Sequence, residues 1–193
     1  MGESDNSGNK LIYILEIVYA ILLSWGFARV AERFTVDHVF YWLCMLVSVL
    51  ALIRFFFAPS HNVGVVIKLI GNRKAAARMI VFFDIPLLIA HSFVFFRMCY
   101  AIGDLNYHYF FRDFSVLLLI NAVWLVTITS RQKRAKINPH DKHAFWVLNN
   151  SICGALILGL FLFKAGLGSM FIVAMVNCVL DLWNCAPYYF ENV

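Results

Sequence analysis

Four ionisable residues interrupt long apolar stretches of this sequence: Glu16, Asp84, His91 and Asp181. A charged side chain at the centre of a lipid bilayer costs at least about 2.5–3.5 kcal/mol, so each such group needs a partner, water or a changed protonation state. Groups of this kind are typical of ion pathways and proton relays in membranes. The three acids and the histidine therefore indicate a pathway for protons or small cations, provided that the surrounding segments cross a membrane.

Spacing extends this polar set along helix faces. Asn177, Asp181 and Asn184 follow an i, i+4, i+7 pattern, which puts all three on one face of a helix. Asp84 and His91 face the same way but lie about 10 Å apart along the axis, too far for a direct hydrogen bond. The predicted pore or proton pathway comprises Glu16, Asp84, His91, Asn121, Asn177, Asp181 and Asn184, with His91 at its inner end. The alternative is that these groups hydrogen-bond one another and hold the helices together.

Composition identifies the elements that position these residues. Of the 193 residues, 62% are hydrophobic and 14% charged, against about 25% charged in soluble domains. We predict an all-α integral membrane protein, a polytopic bundle of about six transmembrane helices over residues 11–187. The expected spans are 11–30, 36–58, 77–102, 109–130, 144–164 and 168–187, between short tails at 1–10 and 188–193. Arg54 is expected to reach the headgroups from the end of its span, and residues 63–70 to lie at the interface.

Positive charge gives the orientation, because lysine and arginine accumulate in short cytoplasmic loops. Most of the 16 basic residues lie near the connections between the second and third and between the fourth and fifth spans. Both termini are therefore predicted to be cytoplasmic. The predicted basic cytoplasmic patch comprises Arg73, Lys74, Arg78, Arg131, Lys133, Arg134 and Lys136, and could contact anionic lipid or a soluble partner.

Small residues spaced four apart predict faces where helices approach closely in lipid. The first span carries Ala20, Ser24 and Ala28, and the fifth carries Ser151, Ala155 and Gly159. Continuing the first series backward reaches Glu16, which is therefore expected to point into protein. A thin bundle of six spans also favours a homo-oligomer.

Three functions follow from these patterns. The first is an oligomeric channel or carrier for small cations or protons. The second is a membrane-embedded partner or effector subunit whose basic loops dock a soluble protein. The third is an intramembrane enzyme acting on a lipid, with Asp84, His91 or Asp181 as acid or base. His140, Asp141 and His143 cluster in one loop, where a solvated loop is favoured over a metal site. We predict no cofactor and no nucleic-acid binding, and the five scattered cysteines do not indicate a disulfide framework.

Overall fold

The described part of the chain consists of helices joined by short turns. A computed structural model describes residues 17, 20–22, 24–32, 38–69, 80–134 and 142–190, and of residues 56–69, 80, 81, 134 and 186–190 it describes the backbone only. No strand occurs in these ranges, which confirms the predicted all-α class. The helices are α1 (Ala20–Ala31), α2 (Val39–Leu69), α3 (Ile85–Gly103), α4 (Tyr107–Arg134), α5 (Lys142–Leu162) and α6 (Leu167–Phe190), with a π-helical segment Ile80–Asp84 leading into α3.

Four of these helices are long and apolar enough to cross a membrane. Their qualifying segments are Phe82–Gly103, Tyr107–Lys133, Lys142–Leu162 and Leu167–Cys185. They coincide with the third to sixth predicted spans. The first two predicted spans correspond to shorter apolar helices in the described ranges, Ala20–Ala31 and Val39–Phe55.

Helix α2 differs from its prediction. Its backbone is helical without a break from Val39 to Leu69, through Pro59 and residues 63–69. The prediction of a separate helix over 63–70 is therefore wrong, whereas its position at the membrane interface stays a prediction. A proline removes only one backbone hydrogen-bond donor, and a helix can continue through it where neighbouring groups compensate.

Helix α4 occupies the centre of the bundle, packed between α3 and α5. Phe110, Phe114, Leu117 and Leu118 on this helix are fully buried, and the rings of Phe110 and Phe114 are stacked at 6.4 Å. Tight turns join α3 to α4 and α5 to α6, so these neighbours run antiparallel. Helix α5 approaches α4 closely at Gly154, where a Cβ atom would lie 3.0 Å from the side chain of Leu119.

Candidate functional site

A buried arginine joins three helices. Arg54 on α2 is 2% exposed, and its Nε lies 2.7 Å from Oδ2 of Asp181 on α6. Its Nη2 donates to Oδ1 of Asn150 on α5 at 2.8 Å, and its Nη1 donates to Oδ1 of Asn177 on α6. Each guanidinium nitrogen therefore meets an oxygen acceptor, a geometry that compensates for removing the charge from water.

Two asparagines reinforce this centre by bridging α5 and α6 reciprocally. Asn149 Nδ2 donates to the backbone carbonyl of Asn177 at 3.1 Å, and Asn177 Nδ2 donates to the backbone carbonyl of Asn149 at 3.4 Å. Asn177 Nδ2 also lies 3.4 Å from Asn150 Oδ1. The amide side chains thus fix the spacing of α5 and α6 and hold the acceptors that Arg54 uses.

A second ion pair joins the start of α3 to the end of α4. Asp84 is 2% exposed, and both of its carboxylate oxygens lie 3.1 Å from Nη1 of Arg131. The indole Nε1 of Trp124 also donates to Asp84 at 3.0 Å. Arg131, which the sequence analysis placed in the basic patch, instead turns inward, and its Cζ lies 4.9 Å from the ring of Phe83.

A small cavity lies beside the Arg54–Asp181 pair. It is lined by Arg54, Phe55, Asn121, Trp124, Leu125, Trp146 and Asp181. Its volume of about 10 Å³ has room for about one water molecule. Trp124 is the physical link between the two pairs, because its ring borders the cavity while its indole nitrogen binds Asp84.

His91 lies beside this cavity without forming part of its lining. It is 2% exposed, and its ring lies 6.1 Å from Trp124 and 5.9 Å from Phe55, between centroids. Nδ1 lies 2.8 Å from the backbone carbonyl of Leu87. A carbonyl can only accept, so Nδ1 carries a proton. Nε2 is buried and has no hydrogen-bond partner in the described ranges.

The structure thus brings together most of the predicted pathway residues. Asn121 and Asp181 line the cavity, while Asn177 and Asp84 bind its lining residues Arg54 and Trp124. Asn184 instead donates to the carbonyl of Leu180 on its own helix at 2.9 Å. Glu16 lies outside the described residues. So do Arg73, Lys74, Arg78 and Lys136 of the basic patch; the side chain of Arg134 is not described, and Lys133 is exposed.

The two predicted packing faces point away from the described chain. Ala20, Ser24, Ala28 and Ala155 are exposed, Ser151 is half-buried, and a Cβ atom at Gly159 would meet nothing within 4 Å. On α1 the close approach occurs at Gly26, where a Cβ atom would lie 2.8 Å from that of Cys99. Contact of the two predicted faces with another chain stays a prediction.

Sequence reasoning missed the role of Arg54, and its expected position at the headgroups is wrong. The residue lies about 22 Å along α2 and Asp181 about 21 Å along α6, from the respective helix starts. The second and sixth spans are predicted to run in the same direction, so the two residues fall at one depth. That match of depth and opposite charge was the available signal, but alone it does not show that the helices are neighbours.

Three further acids lie toward the opposite end of the bundle, and arginines pair with them. Asp113 on α4 is shared by Arg97 and Arg112, while Arg29 on α1 contacts both Glu32 and Asp104. Asp113 is 5% exposed, whereas Glu32 and Asp104 are exposed. The sequence analysis assigned none of these residues to a site.

The chain that forms this arrangement of ion pairs was compared with known proteins. Comparison with family models, curated proteins and solved structures finds no match to the chain. In the described ranges no group of three His, Cys, Asp or Glu side chains is placed to hold a metal ion.

We predict that Asp181→Asn destabilises the protein by about 3–5 kcal/mol, because it leaves the Arg54 charge buried without its carboxylate. The double variant Arg54→Met/Asp181→Asn should be more stable than Asp181→Asn alone, since both charges are then removed. Unfolding of the purified protein in detergent, followed by circular dichroism, measures this. The control is Glu32→Gln at an exposed pair, which should change the unfolding midpoint little. A double variant as unstable as the sum of its single variants would contradict the pairing.

Proposed function

We propose that this chain is a multi-pass membrane protein with about six spans and cytoplasmic termini. Support comes from the four long apolar helices and from the exposure of large apolar side chains such as Phe82, Phe163 and Trp183. In lipid these side chains would contact acyl chains, without the free-energy cost of exposing apolar surface to water. The lysines and arginines of the predicted cytoplasmic loops support the cytoplasmic placement of the termini.

Within the membrane, we propose that it acts as an embedded partner subunit rather than as a pore through its own bundle. One observation carries this proposal: Asp84, Asp113 and Asp181, the acids within the four long helices, are each paired with arginine and at most 5% exposed. A cation pathway needs acids that face water and can exchange one ligand for another. Here each carboxylate is committed to a guanidinium, so its charge serves to hold helices together.

The outward small-residue face of α5 supports association in the membrane. Ser151 and Gly159 are half-buried and Ala155 is exposed, so none of them is enclosed by the described chain. Small side chains gain little from lipid contact but allow the backbone of another helix to approach closely. An apolar groove of about 350 Å³ between α5 and α6 lies beside this face and includes Ile152 and Leu156. We expect a second copy of the chain to pack against this face and form a homo-oligomer.

We predict that Ala155→Leu weakens self-association about tenfold or more, because the larger side chain keeps the facing backbone away. Energy transfer between donor-labelled and acceptor-labelled protein in liposomes, at decreasing protein-to-lipid ratio, measures the association. Gly168→Leu is the matched control, since a Cβ atom there meets nothing within 4 Å and the residue lies off the α5 face. Equal energy transfer in both variants, or none above random proximity in the wild type, would refute assembly through α5.

A second candidate function, movement of protons or small cations, is favoured by the cavity beside the Arg54–Asp181 pair. Water there would touch the Arg54–Asp181 pair, and transfer of a proton to Asp181 would release Arg54 and loosen α2 from α6. Such a carrier would use the buried pair as a gate that is closed in this structure. This reading needs a second arrangement of the helices, which the first proposal does not.

Proteoliposomes loaded with a pH-sensitive dye separate the two functions. The partner-subunit proposal predicts no proton flux above that of empty liposomes under an imposed gradient and membrane potential. Flux that disappears in Asp181→Asn but persists in Glu32→Gln, with both variants folded, would instead establish the carrier and overturn the first proposal.

A further inference from the structure

Two arginines share one carboxylate on the side of the bundle opposite to the Arg54 centre. Asp113 on α4 accepts from Nη2 of Arg97 at its Oδ1, and Nε of Arg97 lies near its Oδ2, both at 3.2 Å. Nε of Arg112 donates to the same Oδ1 at 2.9 Å. One negative and two positive charges leave this cluster with one excess positive charge.

The excess charge is available at the lateral surface. The side chains of Arg97 and Arg112 are 44% and 29% exposed, while that of Asp113 is 7% exposed. Cζ of Arg112 lies 4.4 Å from the ring centroid of Tyr109, which holds the guanidinium in place. The two terminal nitrogens of Arg112 make no hydrogen bond to the described part of the chain, so the open edge of the fork remains available to an anion.

The backbone of the cluster lies just below the lipid headgroups of the proposed membrane, within reach of a long arginine side chain. Arg97 is about 9 Å before the end of α3, and Arg112 about 8 Å after the start of α4. Helix ends extend through a headgroup layer of about 5–8 Å on each side of the hydrocarbon. Long arginine side chains at this depth direct their charge toward the phosphates. By contrast, Arg29 contacts two acids, Glu32 and Asp104, and has no excess positive charge to offer.

We propose that Arg97 and Arg112 form a binding site for the phosphate of an anionic phospholipid in the leaflet opposite the cytoplasm. Arg97 and Asp113 set the position of the site by linking α3 to α4. Arg112 supplies the open guanidinium edge, which matches two phosphate oxygens. The site rests on the proposed insertion in a membrane, and it is independent of whether the protein is a partner subunit or a carrier.

Lipid binding to the purified protein in neutral detergent tests this site. Native mass spectrometry with phosphatidylglycerol should show a tightly bound lipid, with affinity about tenfold lower in Arg112→Gln because one charged contact is lost. Arg112→Lys should keep part of the affinity, since it retains the charge but not the fork. Lys164→Gln is the control: it removes an exposed positive charge from the α5–α6 turn, at the same end of the bundle, and should leave binding unchanged.

Measurements with two other ligands identify the group that binds. Phosphatidylcholine should bind more weakly than phosphatidylglycerol, and inorganic phosphate should fail to displace the lipid. Equal binding of the two lipids, displacement by inorganic phosphate, or unchanged affinity in folded Arg112→Gln would each overturn the proposal. Release of the native protein from membranes by alkaline carbonate would show separately that insertion, the premise shared with the proposed function, is wrong.

Discussion

The Arg54 guanidinium lies in the middle of α2, 2% exposed, and its charge has to be compensated by whatever packs around it. The chain does this with one carboxylate from α6 and amide oxygens from α5 and α6, so three helices must keep their relative rotation and depth. Losing one partner of such a buried pair costs about 3–5 kcal/mol, a large part of the stability of a typical domain. The reciprocal contacts of Asn149 and Asn177 hold α5 and α6 at the spacing that this arrangement needs.

Ion pairs between arginine and aspartate also occur at two other places in the bundle, with different consequences. At Asp84 the ion pair is almost as enclosed, and Trp124 connects it to the cavity beside Arg54. At Asp113 two arginines share the carboxylate and remain partly exposed, which leaves charge for a ligand. Burial therefore distinguishes the enclosed pairs, which fix helices in place, from the open cluster, for which we propose anion binding.

Hydropathy and helical periodicity predicted the all-α class and the positions of the third to sixth spans within a few residues, because long apolar runs carry a strong signal. The sequence also singles out Asp84, Asn121, Asn177 and Asp181, since uncompensated polar residues are rare in such runs; their role as a pathway stays a prediction. What these residues contact could not be predicted. Arg54 looked like a side chain reaching for headgroups because α2 was expected to end at residue 58, whereas the helix continues to Leu69. Which helices are neighbours is a tertiary property that spacing within one helix does not contain.

The account depends on direct binding of the Asp181 carboxylate by Arg54, in place of a hydrated path lined by that carboxylate. Solid-state NMR of the protein in lipid bilayers tests this through the dipolar coupling between ¹⁵Nε of Arg54 and ¹³Cγ of Asp181. The 2.7 Å contact between Nε and Oδ2 predicts a measurable coupling that persists when the bilayer is fully hydrated. A folded protein with no such coupling, and with Asp181 in contact with exchanging water, would contradict it.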